Sequence, residues 1–499
     1  MTTRRSFLRT ATLGSVGCGI GGLGIRPVTA AEAALDPGIV RFNDNIEPLV
    51  RLIEDTPREK LIEEVATRVR DGLSYRKLLA ALLLAGVRNV QPRPSVGFKF
   101  HAVLVVNSAH LASLASSDED RWLPIFWALD NFKSSQARDV REGNWTMAAL
   151  DEAKVPTVEV ARNQFVTAMD TWDAELADVA VAGLSRTASI HEVFELFARY
   201  GIRDFRSIGH KAIFVANSYR TLQCIGYEYA EPVLRSLAYA LQNHEGEPNP
   251  AENDLAADRA WRKNLERCQA IRKHWQSGRL DADATESLVS VLRSGSSDDA
   301  CDQVVEMLNA RISPQSIYDA LFLAAGELLM RQPGIVALHA VTSTNAFRYA
   351  FRVASDDSTR RLVLLQNAAF LPLFREAMQG RGEVGDNWIT ELAGETSGDV
   401  DVSGVFDDIG SETQRAARKT LAFLDQGGDP EQLMAAARQY IFLKGTDSHD
   451  YKFSSAVLED FYHISPMFRN RYLASSVFKL RGAASNDNGL IGRIRSAFA

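Results

Sequence analysis

Cysteine is scarce, with four in 499 residues, and none falls in a Cys-x-x-Cys or Cys-x-x-Cys-His pattern. That excludes zinc ribbons, thioredoxin-type redox chemistry and covalently attached c-type haem. Cys224, Cys268 and Cys301 permit at most one disulfide, so stability has to come from core burial. No glycine-rich phosphate loop, Ser-His-Asp elbow or His-Glu-x-x-His signature occurs, which removes the commonest nucleotide, acyl-transfer and zinc-protease readings. Long apolar runs are missing too. No stretch after residue 30 stays apolar for the ~18 residues that a bilayer-crossing helix needs. Basic excess is absent, with 56 Lys and Arg against 63 Asp and Glu and a formal charge of -7. Such a surface repels phosphate backbones, so nucleic acid is not an expected partner.

What is present begins with an address. Thr3-Arg4-Arg5-Ser6-Phe7-Leu8 matches the twin-arginine export pattern, a weakly apolar, glycine-rich stretch follows from Ala11 to Ile25, and Val28-Thr29-Ala30 supplies a small-residue cleavage site. The expected mature chain starts near Ala31 and is periplasmic or secreted, delivered by the twin-arginine translocase. Losing Arg4, Arg5, Arg9 and Arg26 takes its charge from -7 to -11. Cys18 opens a lipid-anchored alternative, against which Ser15 stands where an apolar residue belongs.

Laid on itself with a shift of 238 to 239 residues, the chain brings like onto like. The segment Leu73 to Leu82 falls on Ile312 to Leu321, and His101-Ala102-Val103 falls on His339-Ala340-Val341, each with an asparagine six residues on (Asn107, Asn345). Asp118, Arg121 and Leu123 fall on Asp357, Arg360 and Leu362; Asn144-Trp145 pairs with Asn387-Trp388; Tyr200 and His210 pair with Tyr440 and His449. An ordered series of this kind points to tandem duplication. A fainter symmetry divides each half again, because an amphipathic helix leads four times to a histidine at the start of another helix.

The periodicity is helical. Leu78, Leu79, Leu82, Leu83 and Val87 recur at three- and four-residue spacing, as do Ile317, Leu321, Phe322 and Leu328, while strand alternation is almost absent. Ser95, Pro333 and Thr446-Asp447-Ser448 are placed to open the helices of His101, His339 and His449. The expected fold is all-α, a tandemly duplicated helical array or bundle. Its expected parts are the signal peptide 1–30, a first half 31–250, a connecting charged helix within 251–290, a second half 291–482 and a tail 483–499. Loops are expected at Gln91 to Ser95, Asn243 to Glu252, Ser294 to Ser297 and Glu383 to Gly404.

Four histidines return at the offset of the repeat or its subdivision, namely His101, His210, His339 and His449, whereas His110, His191, His244, His274 and His463 have no histidine counterpart. His210 and His449 fall in the first turns of their helices, where the positive end of the macrodipole disfavours imidazolium and leaves the neutral ring that ligates metals or accepts protons. Brought together, the four could bind a cofactor or a metal ion, as bundles build such sites from facing helices. Phe98, Ser207, Val336 and Thr446 stand three residues before them, so the Glu-x-x-His pairs of carboxylate di-metal sites are missing. The run Ser448 to Phe453 places an acid, a phenol and an amine within a turn of His449. A second cluster, Trp122, Trp127, Asp130, Asn131 and Lys133, lies outside the repeated frame and reads as packing.

The segments Leu338 to Arg348 and Ser207 to Ile213 resemble the questin oxidase-like family, helical proteins associated with Baeyer-Villiger-type oxidation of aromatic polyketides. Members show a His-x-Val-Thr segment, here His339-Ala340-Val341-Thr342, and a separate histidine-rich helix start. The resemblance covers residues 188–240 and 312–375; position 211 departs from it, being Lys where an apolar or histidine-bearing turn belongs. It implies an oxidoreductase acting on a small molecule but assigns no catalytic residue. Two functions are expected of the chain: an exported metal- or cofactor-dependent oxidoreductase with its histidines lining a site between the halves, or a non-catalytic helical scaffold of the cell envelope whose histidines are core residues.

Overall fold

The computed structural model describes residues 38–395 and 400–499. The export pattern, the cleavage site and Cys18 lie outside the described residues, as does part of the Glu383 to Gly404 segment. Among the described residues helix accounts for 71%, with 22 α-helices and several short 3-10 turns, and no strand occurs; two isolated bridges, Ile39 with Ala148 and Arg279 with Ile312, interrupt the helical pattern. The all-α expectation holds.

Eight helices build the centre, in four consecutive pairs. They are α1 (Tyr75–Asn89) and α2 (His101–Leu114), α3 (Ile190–Gly201) and α4 (His210–Ile225), α5 (Pro314–Arg331) and α6 (Ile335–Val353), α7 (Pro430–Lys444) and α8 (Ser448–Asp460). The first member of every pair is opened by a side-chain cap. Ser74, Ser189, Ser313 and Asp429 each accept from a backbone N–H two or three residues on, which satisfies donors that a helix start otherwise leaves orphaned. The second members differ. Phe100, Gly209 and Gly334 precede α2, α4 and α6 with no side-chain cap, and only α8 carries a capping box, between Asp447 and Asp450. Two expected openings therefore move. Ser95 lies five residues before the true N-cap of α2, and Pro333 precedes the N-cap Gly334 instead of opening the first turn of α6.

Each leading helix packs on its own partner, and the partners form a closed ring in which α2 touches α4, α4 touches α6, α6 touches α8 and α8 returns to α2. A helix in such a ring has no solvent face, which is why α2 is apolar all round and why Ala102 to Ala109 are buried without interruption. The periodic leucines of α1 and α5 are buried against the ring.

The chain also closes on itself. The C-terminal helix Leu490–Phe498 packs against helix Arg58–Arg70, with Phe498 stacked on Trp122 at 5.8 Å and Arg493 paired with Glu63 at 2.6 Å. The charged connector is no free strut. Its helix, Ala256–Ala270, lies on helix Asp357–Gln379, and Asn264 donates to Gln366 across that contact. The second cluster does pack. Trp127 stacks on Tyr451 at 4.4 Å, Asp130 pairs with Arg58, and Lys133 donates to the carbonyls of Ile53 and Glu54.

Candidate metal centre

The ring of helices carries a ring of histidines. His101 and His210 are the first residues of α2 and α4, His449 is the second of α8 and His339 the fifth of α6. One ring nitrogen from each lies within 4.8 Å of the other three. His101 Nε2 and His339 Nε2 stand 3.0 and 2.9 Å from His210 Nε2. Neighbouring ring centroids around the circuit are 5.0, 4.2, 5.3 and 4.4 Å apart, and the diagonal from His101 to His339 is 6.5 Å. The diagonal is longer than every side, so the four rings stand around a circuit and not as four equidistant corners.

The outward nitrogens are all engaged. His101 Nδ1 donates to the Phe98 carbonyl at 2.7 Å, His210 Nδ1 to that of Ser207 at 2.6 Å, His339 Nδ1 to that of Ile335 at 2.6 Å, and His449 Nδ1 to the Asp447 carboxylate at 2.7 Å. These acceptors fix the Nδ1–H tautomer and leave each Nε2 as an inward lone pair, the arrangement in which histidine holds a metal. Among the described residues, the buried Nε2 of His449 has no hydrogen-bond partner. Inward lone pairs 3 Å apart repel unless a positive group stands between them.

An extra proton on the rings is disfavoured. Burial holds His101, His210 and His339 well below the ordinary imidazole range, with Lys452 and the neighbouring histidines pushing the same way. His449 is lowered as well, chiefly by burial, against the pull of Asp447. The site favours the neutral form of each ring.

Local backbone is bent to make this possible. Ser207, Ile208 and Gly209 occupy the left-handed region in succession, at φ of 55°, 43° and 81°, which is strained for the first two residues and free for glycine. The bend aims the Ser207 carbonyl back at His210. It is anchored by Arg206, paired with Asp258 at 2.7 Å and Glu247 at 2.6 Å, and by Lys211, which holds Asp204 at 2.8 Å and donates to the Asn243 carbonyl at 2.9 Å. Lys211 thus has a structural task here. Gly97 has no room for a side chain, because a Cβ there would stand 2.8 Å from His210 Cε1.

Of the acid, phenol and amine that follow His449, only the amine faces the site. Asp450 accepts from the backbone of Thr446 and Asp447 and pairs with Arg481, while Tyr451 turns to Trp127. Lys452, one helical turn beyond His449, is 2% exposed and acts electrostatically on all four rings. Its Nζ has no partner among the described residues, and burial pushes its pKa down to about 7.

Further along the same four helices lies a narrow pocket of about 10 Å³, room for about one water. Asn107, Asn217, Arg220, Thr342, Asn345 and Lys452 supply most of its polar wall. Asn107 and Asn345, six residues beyond their histidines, line this pocket and do not bond the rings. Asn345 instead donates to Glu459 and Asp460. Four of the five remaining histidines have partners of their own apart from the ring: His110 bonds Tyr75, His191 bonds Tyr219, His244 meets the Glu247 carbonyl and His463 meets Arg352. No family model matches the chain, and neither a curated protein nor a solved structure matches it.

Proposed function

We propose that this protein is an exported metalloprotein that binds one transition-metal ion through the Nε2 atoms of His101, His210, His339 and His449 and carries out oxidation or reduction of a small molecule. The observation that carries the reading is the set of four neutral rings whose Nδ1 protons are tied outward while the Nε2 lone pairs crowd inward at 2.9 and 3.0 Å. A metal with bonds of about 2.0–2.1 Å spaces neighbouring nitrogens about 2.9 Å apart in a square and about 3.3 Å apart in a tetrahedron. The two spacings of 2.9 and 3.0 Å match the square, the geometry that copper(II) or nickel(II) takes more readily than zinc. A polar pocket further along the same four helices, with Thr342 and Lys452 one turn beyond His339 and His449 in its wall, is consistent with a catalytic more than a closed structural site.

Oxidoreductase chemistry is supported by the redox-capable metals that such a donor set takes and by the questin oxidase-like resemblance around His210 and His339. The four helix pairs, each leading to one ligand, favour descent by duplication. Export is supported by the twin-arginine pattern, whose route carries proteins already folded around a cofactor.

The test is elemental analysis of protein purified from its own cell envelope. About one equivalent of copper or nickel per chain is expected, falling below about a tenth of an equivalent in His210→Ala, because His210 touches two other ligands and outer partners alone are worth 10–100-fold in affinity. Protein that purifies metal-free and takes up neither ion belongs to the scaffold class instead.

A further inference from the structure

The four corners of the histidine ring are not alike. Three form a chain around a hub, since His101 and His339 bring their Nε2 atoms to 3.0 and 2.9 Å from His210 Nε2. His449 Nε2 is buried and has no partner of its own among the described residues, although one of its ring nitrogens lies within 4.8 Å of the other three ligand atoms. Burial divides the corners too. His210 and His339 are 3% and 0% exposed, whereas His101 and His449 are both partly exposed. The ring therefore meets solvent along the edge that those two share, where their centroids stand 4.4 Å apart.

The outer supports then separate His449 from His101. The Nδ1 atoms of His101, His210 and His339 each donate to a backbone carbonyl three or four residues earlier, which cannot move without unwinding the helix start. His210 is confined further, because the Gly97 backbone packs against its ring and Ser343 of α6 packs against Gly209. His449 Nδ1 donates instead to a carboxylate, that of Asp447, whose side chain is 56% exposed. The same oxygen accepts from the His449 backbone N–H at 2.8 Å, so α8 keeps its cap when the ring turns away. His449 is thus the corner with the least to hold it.

Resting on the metal reading above, we infer that His449 is the exchangeable ligand of the centre: His101, His210 and His339 hold the ion throughout, and His449 yields its position to a small molecule that enters along the His101–His449 edge. In the exchange the bond between the ion and His449 Nε2 breaks and a bond to a lone pair of the incoming molecule forms, with no electron or proton transferred. Three protein ligands and one replaceable position is the pattern by which a metal site keeps its ion fixed yet reactive. The Asp447 carboxylate raises the basicity of the ring it holds, so His449 recovers the position when the product leaves. The substrate class this admits is a small molecule with a free lone pair on oxygen, nitrogen or sulfur.

The test uses the full chain, labelled at histidine with the heavy nitrogen isotope and loaded with copper(II), with unlabelled azide as the probe. Pulsed electron paramagnetic resonance should find four histidines coupled to copper at rest and three once azide binds. His449→Ala should keep copper within about tenfold of wild-type affinity, while His339→Ala, which removes a neighbour of the hub, should weaken it about a hundredfold or more. Imidazole added to copper-loaded His449→Ala should restore the wild-type spectrum, which the loss of a merely structural histidine would not allow. Wild-type protein that takes up no copper overturns the metal reading and this one with it. Copper-loaded protein in which azide leaves all four histidines coupled, or in which His449→Ala weakens copper as much as His339→Ala, overturns the exchangeable corner alone. The azide measurement needs no substitution and decides the matter if either variant fails to fold.

Discussion

Two lysines lie fully inside this molecule, each within a turn of a ring histidine, and they are built oppositely. Lys211, next to His210, is ringed by partners: both oxygens of Asp204 at 2.8 and 3.0 Å and the Asn243 carbonyl at 2.9 Å. Lys452, three residues past His449, has no partner among the described residues. Burial lowers both, Lys211 to about 8 against the pull of Asp204 and Lys452 to about 7. Since Asp204 is itself held below its ordinary value by Lys211, Arg203 and Arg206 despite its burial, the Lys211 contact is an ionised pair. Burial alone therefore does not mark a functional group. A buried charge with its partners in place belongs to the scaffold, whereas one without them points to a missing ligand.

The comparison is broken most forcefully at Lys211. Lys211→Met leaves the buried Asp204 facing only Arg203 and Arg206, at 3.9 and 3.6 Å, and loosens the bend that aims His210. Breaking one side of a buried pair costs about 3–5 kcal/mol, so chemical denaturation should show a loss of that order, with weakened metal retention. A loss under about 1 kcal/mol would mean that Lys211 is as dispensable to the scaffold as Lys452.

Lys452→Met should move stability the other way. Removing an unsatisfied buried amine is expected to raise the stability of metal-free protein by about 1–3 kcal/mol near neutral pH. The sign can be followed with pH. With a folded pKa of about 7 and an unfolded value of about 10.5, the wild-type penalty is full below pH 7. It fades as pH rises toward 10.5, where the unfolded chain also loses its proton. Denaturation of both proteins at several pH values should show the variant's advantage shrinking from pH 7 to 10. An advantage independent of pH would attribute it to packing.

The helical fold was legible in the sequence because its signals are local. Leu78, Leu79, Leu82, Leu83 and Val87, like Ile317, Leu321, Phe322 and Leu328, recur at helical spacing, and His101, His210, His339 and His449 return at the offset of the repeat or its subdivision. Convergence of the four could be argued from that recurrence, and the structure brings them within 4.8 Å. Lys452 was visible only as one of three polar residues after His449, because its isolation depends on what α2, α4 and α6 fail to offer it. The bend at Ser207 and Ile208 carries no sequence mark, since neither residue favours a positive φ. The caps at Ser95 and Pro333 were misplaced because α2 and α6 open on Phe100 and Gly334, whose positions are fixed by ring packing and not by a capping side chain.

The smallest effect is expected where the same contrast recurs among acids. Asp204, among cations, is held down. Asp460, at the end of α8, is pushed well above the ordinary range by burial and by Glu459, its two oxygens accepting from the Asn345 amide and the Tyr472 hydroxyl. Neighbouring Glu459 is ionised, lowered to about 2 despite its burial by His463, Arg220 and Asn345. Asp460 is thus the member of the pair that keeps its proton. A carboxyl with a raised folded pKa contributes no penalty below its unfolded value of about 3.9, and a growing one as pH rises toward the folded value. Asp460→Asn keeps the shape and an acceptor for Asn345 while removing the ionisation. It should match wild type near pH 4 and gain on it as pH rises toward neutral. Thermal or denaturant unfolding across that range measures the difference. A variant less stable at pH 7 than at pH 4, relative to wild type, would show that Asp460 is ionised in the folded protein and that the pocket has a buried negative charge close behind Asn345.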